Sequence, residues 1–136
     1  NLKGTFFASQ AVGKLMIARR YGRIINMSSQ AGSVALRGEP IYCMSKAGID
    51  HLTRCLANEW GRYNICVNAV APTQILTIKD GVPSIPGDRA AELAKSIPAR
   101  RIATPDDVAP LVLFLASDAN RYVSGETVSL TGGDQR

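Results

Sequence analysis

Two short, nearly continuous apolar runs constrain the fold of this chain most. One spans Arg23 to Ser28 and carries Ile24, Ile25 and Met27; the other spans Asn64 to Ala71 and carries Ile65, Val67 and Val70. Neither alternates cleanly between apolar and polar residues, so each suits a strand covered on both faces. Helical spacing stands on either side of them. Phe7, Ala11 and Leu15, with Ala8, Val12 and Met16 beside them, predict a helix from Leu2 to about Arg20. Gly22 stops it, and Arg19 and Arg20 sit well near its C-terminus. Ile49, Leu52 and Leu56 predict a second helix from Tyr42 to about Gly61. Thr104-Pro105-Asp106-Asp107 reads as a helix start: a cap, a proline at the first helical position, and acids at the positive end of the dipole. Val108, Leu111, Phe114 and Leu115 would form its buried face, and Thr127 to Leu130 a last strand before a terminal turn at Gly132-Gly133. The stretches 30–40 and 74–97 are loops, the second holding a short helix around Asp88 to Ile97. Strands alternating with helices imply an α/β fold with a doubly wound parallel sheet. Ligands of such sheets bind beyond the carboxyl ends of the strands, here Ser28-Ser29, Pro72 onward, and the loops leading into Tyr42.

Composition removes several classes. The chain has 136 residues, 46% apolar, with a formal net charge of +5. That apolar content is not that of a disordered chain. The longest apolar runs fall far short of the roughly 20 residues of a membrane helix, and no secretory signal opens the sequence. The positive charge scatters, and no aromatic residues interleave with it, so nucleic acid is not an expected partner. Cys43, Cys55 and Cys66 show no metal spacing and read as reduced, buried residues of an intracellular, cytoplasmic protein. His51 is a lone helical histidine, and Trp60 and Tyr63 read as packing or interface residues. The first residue is Asn1 rather than Met, and a helical pattern starts at once, so the chain reads as a fragment.

Tyr42 and Lys46 stand four apart at the start of a helix and share a face. A phenol ordinarily keeps its proton to about pH 10, and an ammonium held close favours the phenolate. Such a pair is a proton donor and acceptor suited to a carbonyl that becomes an alcohol, or the reverse. Ser29, at the carboxyl end of a strand, is placed to donate a hydrogen bond to a carbonyl oxygen as charge develops there.

Together these residues resemble the classical short-chain dehydrogenase/reductase family. Asn1, Asn26-Met27-Ser28-Ser29-Gln30-Ala31-Gly32 and Tyr42-Cys43-Met44-Ser45-Lys46-Ala47 follow its order and spacing. Val67-Asn68-Ala69-Val70-Ala71-Pro72, Arg101 before Thr104, Phe114 to Asp118 and Ser124 to Gly133 are similar to its later part. The resemblance implies roles residue by residue. Tyr42 would be the general acid/base. Lys46 would favour its phenolate and hydrogen-bond the nicotinamide ribose, and Ser29 would polarise the substrate carbonyl. Asn1 would hold a water linking Lys46 to solvent. Pro72 and Thr73 would lie below the nicotinamide, with Thr77 near its carboxamide or a phosphate. The family usually has glycine where this chain has Thr73, so the turn there is expected to differ. A proline–threonine pair here is frequent among the family's sugar and polyol dehydrogenases.

A dinucleotide-binding domain opens with a strand, a glycine-rich turn and a helix whose N-terminus takes the pyrophosphate. Nothing here matches, so the resemblance makes residues 1–136 the C-terminal, catalytic half of a Rossmann-like domain, without its N-terminal βαβ units. The implied activity is NAD- or NADP-dependent interconversion of a secondary alcohol and a ketone, the substrate being a sugar or polyol or a 3-oxoacyl thioester. The isolated chain is expected to be inactive and the parent protein a homodimer or homotetramer. The alternatives are a catalytically silent assembly module and, less well matched, an epimerase or dehydratase using the same Tyr–Lys pair.

Overall fold

The computed structural model describes residues 1–134. In chain order the elements are α1 (Leu2–Arg19), β1 (Gly22–Met27), α2 (Pro40–Trp60), β2 (Ile65–Pro72), β3 (Ile78–Lys79), β4 (Val82–Pro83), α3 (Gly87–Ser96), α4 (Pro105–Ala116) and β5 (Thr127–Leu130). Single 3-10 turns at Gln30–Gly32 and Gly61–Tyr63 flank α2. The main sheet is parallel, in the order β1-β2-β5. The boundaries of α1, β1, α2, β2, α3 and β5 and the start of α4 lie within a few residues of the sequence expectation.

Strand β2 runs through the middle, and all eight of its residues are buried. Its alternation decides which helix covers which face. Ile65 and Val67, with Ile24 of β1, pack with Leu56 and Trp60 of α2 and with Met16 and Ile17 of α1. The opposite set, Met27 and Pro72, meets Val108 and Val112 of α4. Helices therefore stand on both faces, as a doubly wound sheet requires. Asn68 is buried at the strand's centre. It donates to Val123 O at 2.8 Å and accepts the Glu126 N–H at 3.1 Å, which ties β2 to the segment entering β5.

Three expectations fail in instructive ways. The apolar face read on α1 points outward: Phe7 is 53% and Leu15 63% exposed, and the helix is buried instead at Ser9 and Gly13. A Cβ on Gly13 would sit 2.5 Å from the Trp60 indole, so the small residue is what lets α1 approach α2. On α4 only Leu115 is buried; Phe114 is exposed. Of the three cysteines, all free, only Cys66 is buried, Cys55 being exposed and Cys43 half-buried.

The segment 74–97 contains a hairpin as well as a helix. Ile78 pairs with Pro83 and Lys79 with Val82 around Asp80 and Gly81, both at positive φ (51° and 77°). Asp-Gly with both residues left-handed is the preferred two-residue hairpin turn. At α4, Asp107 accepts the Thr104 N–H at 2.8 Å and its hydroxyl at 3.2 Å, and holds Arg101 through two bonds of 2.6 Å. Arg101 first, then Thr104, holds the Asp107 carboxyl well below the usual carboxylate range. No helix among the described residues is long and apolar enough to cross a membrane.

Candidate active site

Strand β1 delivers its last residues into a turn. Ser28 is buried; its N–H donates to Val70 O at 2.8 Å and its hydroxyl to Lys46 O at 3.4 Å. Ser29 follows in extended backbone and caps the 3-10 turn. Its Oγ accepts the Ala31 N–H at 3.2 Å, and its carbonyl accepts the Gly32 N–H at 2.9 Å. Of the two serines, Ser28 is locked between β2 and α2, while Ser29 stands half-buried at the strand's carboxyl end.

Helix α2 opens with Pro40, so Tyr42 falls in its first turn, where the helix dipole favours negative charge. The inward stripe of α2 is Lys46, Ile49, Asp50, Thr53, Leu56 and Trp60. Its polar members bind the sheet. Asn26 donates to Thr53 Oγ1 at 2.9 Å, and Thr53 donates to Ile49 O at 2.9 Å. Lys46 is 8% exposed. Its Nζ donates to Met27 O at 2.9 Å and lies 5.7 Å from the centroid of the Tyr42 ring. Desolvating an ammonium costs on the order of several kcal/mol unless it is paired. Lys46 is thus held at the start of α2 between one backbone carbonyl and one aromatic ring.

The other expected residues are placed as follows. Asn1 stands at the N-cap position of α1 and its Nδ2 donates to Ser45 Oγ at 3.2 Å, so it reaches α2 next to Lys46, without a direct bond to that lysine. Ser45, which the sequence reading passed over, donates in turn to Tyr42 O at 2.8 Å. Cys43 accepts the Leu36 N–H at 3.4 Å and so fastens the loop before α2 beside Tyr42. Gln30 donates to Asp134 O at 3.0 Å, bringing the C-terminal turn to the residue after Ser29. Pro72 lines an apolar cavity of about 540 Å³ with Met27, Ile75 and α4. Thr73 lines a separate one of about 200 Å³ with Ile97, Arg101 and Gly132. The Thr73 N–H donates to Leu130 O at 3.1 Å and its φ is not positive, so threonine continues the ladder where glycine was expected. Thr77 is exposed at the base of the hairpin, its N–H donating to Ser84 Oγ at 3.0 Å. Tyr42, Lys46, Ser29 and Asn1 thus converge on the start of α2 and the end of β1; Thr77 belongs to the hairpin.

A doubly wound parallel sheet with a Tyr–Lys helix that begins beyond the carboxyl end of β1 defines an α/β protein of Rossmann-like fold. The chain belongs to the short-chain dehydrogenase/reductase family: the family model described as enoyl-(acyl carrier protein) reductase matches residues 1–134. It is 46% identical over 133 residues to an NAD-dependent glycerol dehydrogenase of Listeria innocua serovar 6a, covering 98% of this chain and 52% of that protein. A D-threitol dehydrogenase of Mycolicibacterium smegmatis is 44% identical over 133 residues, covering 98% and 51%. Among solved structures, a gluconate 5-dehydrogenase from Burkholderia cenocepacia in complex with NADP and tartrate superposes with a TM-score of 0.87 at 33% identity, over 98% of this chain and 52% of that one. The chain spans about half the length of the relatives it matches.

Proposed function

We propose that this chain is the catalytic half of a nicotinamide-dinucleotide-dependent oxidoreductase that interconverts a secondary alcohol and a ketone. The observation that carries this reading is the buried Lys46 ammonium held against the Tyr42 ring, one strand end away from Ser29. In the reducing direction Tyr42 donates its hydroxyl proton to the carbonyl oxygen, and in the oxidising direction it accepts the proton back. Lys46 stabilises the negative charge left on the phenol, and the Ser29 hydroxyl orients the carbonyl and supports its developing charge. Asn1, bonded to Ser45 beside this pair, would hold a water that links Lys46 to solvent.

The residues present fit one end of the cofactor. An ammonium has three donors, and the Lys46 Nζ uses one on Met27 O, which suits the others to ribose hydroxyls. Pro72 and Ile75 present apolar surface beside β1, suited to a nicotinamide face. The cofactor would supply hydride. Whether NAD or NADP is used is decided outside these elements. The glycerol, threitol and gluconate relatives support a polyol or sugar acid as substrate, and the acetoacetyl-CoA and 3-oxoacyl-acyl-carrier-protein reductases among the relatives support a 3-oxoacyl thioester as the second reading.

The test is turnover of the full-length protein with small polyols and NAD or NADP, comparing wild type with Tyr42→Phe. The phenol-to-phenyl change is expected to lower kcat by about 10²- to 10⁴-fold while leaving cofactor affinity in place. Retained turnover in that variant would remove the acid/base assignment.

A further inference from the structure

Asp50 is a buried carboxylate that the chemistry above does not use. It lies on α2 one turn beyond Lys46 and is 6% exposed. Its Oδ1 accepts the Thr127 hydroxyl at 3.3 Å, which ties α2 to the start of β5. Its Oδ2 is pressed against Gly32: a Cβ at position 32 would overlap that oxygen and stand 3.2 Å from the Lys46 carbonyl carbon. Gly32 is not at positive φ, so close approach, and not a left-handed backbone, is what requires glycine there. The same residue closes the turn that Ser29 caps, its N–H donating to Ser29 O at 2.9 Å. Ser29, Ala31 and Gly32 are therefore one hydrogen-bonded unit, and its distance from the Tyr42–Lys46 helix is set where Gly32 meets Asp50.

We propose that Asp50 is a positioning residue for the reaction, seating the Ser29 turn against the Tyr42–Lys46 helix through its contact with Gly32. The inference rests on the acid/base reading given above. A displacement of about 1 Å in a catalytic group can lower turnover by roughly 10²-fold. A carboxylate braced between the turn and β5 prevents that displacement, and it does so without touching substrate.

The experiment is a double-mutant cycle in the full-length protein, with kcat, polyol KM, cofactor Kd and Tm measured for Gly32→Ala, Asp50→Ala, both together, and Asp50→Asn. Gly32→Ala is expected to lower kcat by about 10- to 100-fold with cofactor Kd unchanged, because the new methyl pushes the turn and Ser29 away from α2. Asp50→Ala is expected to lower kcat by about 10-fold, since the turn loses its brace. In the double variant the methyl no longer meets the carboxylate and keeps only its 3.2 Å approach to the Lys46 carbonyl carbon, so the combined loss should be smaller than the product of the two single losses. Asp50→Asn keeps the shape and the acceptor for Thr127, and its kcat should stay within about threefold of wild type. Multiplicative losses in the double variant would overturn the proposal. So would variants that lose Tm alone and keep wild-type kcat per folded molecule. Should Gly32→Ala fail to fold, the Asp50→Ala and Asp50→Asn pair decides: reduced kcat in the first only supports the proposal, and equal kcat in both overturns it. Retained activity in Tyr42→Phe would remove the underlying reading; a dead Tyr42→Phe with fully active Asp50 and Gly32 variants would remove this inference alone.

Discussion

Strand β2 and strand β1 lie side by side in perfect register, from Gly22 against Ile65 to Met27 against Val70, yet they live in different surroundings. Strand β2 is flanked by β1 and β5, is buried along its whole length, and backs onto the polar and apolar stripe of α2. Among the described residues strand β1 has a neighbour on one side only; its last residue, Met27, is 50% exposed, and α1 beside it turns Phe7 and Leu15 outward. The contrast locates rigidity. Lys46 and Tyr42 hang from a helix that packs on β2, so the proposed acid/base pair is positioned by the core of this chain. The β1 edge presents an open row of backbone groups among the described residues.

Substitutions along this divide should have unequal effects. Trp60→Ala, in the β2–α2 core, is expected to destabilise by about 3–5 kcal/mol, whereas Leu15→Ala on the open face of α1 should stay within about 0.5 kcal/mol. Chemical denaturation of each variant checks the pair, and equal losses would break the comparison. Lys46→Met keeps the length of the side chain and removes a buried charge, so turnover should fall by about 10²-fold with stability unchanged or raised. A parallel kcat and Tm measurement reads both. Gly13→Ala drives a methyl into the Trp60 indole and should cost about 1–3 kcal/mol, although it sits on the more open helix. The smallest effect expected is at Asp107. Its carboxyl is held down in the folded chain by Arg101 and Thr104, so its contribution is present above the unfolded value of about 3.9 and is lost as pH falls toward the native one. Acid titration should show wild type and Asp107→Asn differing at neutral pH and converging below about pH 4.

Much of this was legible in the sequence, for physical reasons that can be named. The continuous apolar run of β2 and the cap of α4 are local signals, and the structure has both where those signals lie. The order Ser29, Tyr42, Lys46 is likewise a one-dimensional pattern. What stayed hidden is contact made by backbone or by the absence of a side chain. Met27 O beneath Lys46 carries no residue-type signal, because every residue has a carbonyl. Gly13 and Gly32 pack because they lack a Cβ, and an apolar-periodicity reading of α1 favours its large residues over the small ones that touch Trp60. The Asp80-Gly81 turn did carry a signal, the dipeptide preferred in two-residue hairpins, within a stretch read as a loop with one helix.

We propose, centrally, that the chemistry of the site belongs to this chain and that the chain alone does not grip the cofactor. Titrating NADH and NADPH into the 136-residue chain, with its helical circular dichroism recorded in the same samples, tests this most directly. A folded chain with no saturable binding of either dinucleotide is the predicted result. Tight, saturable binding by this chain alone would contradict the account.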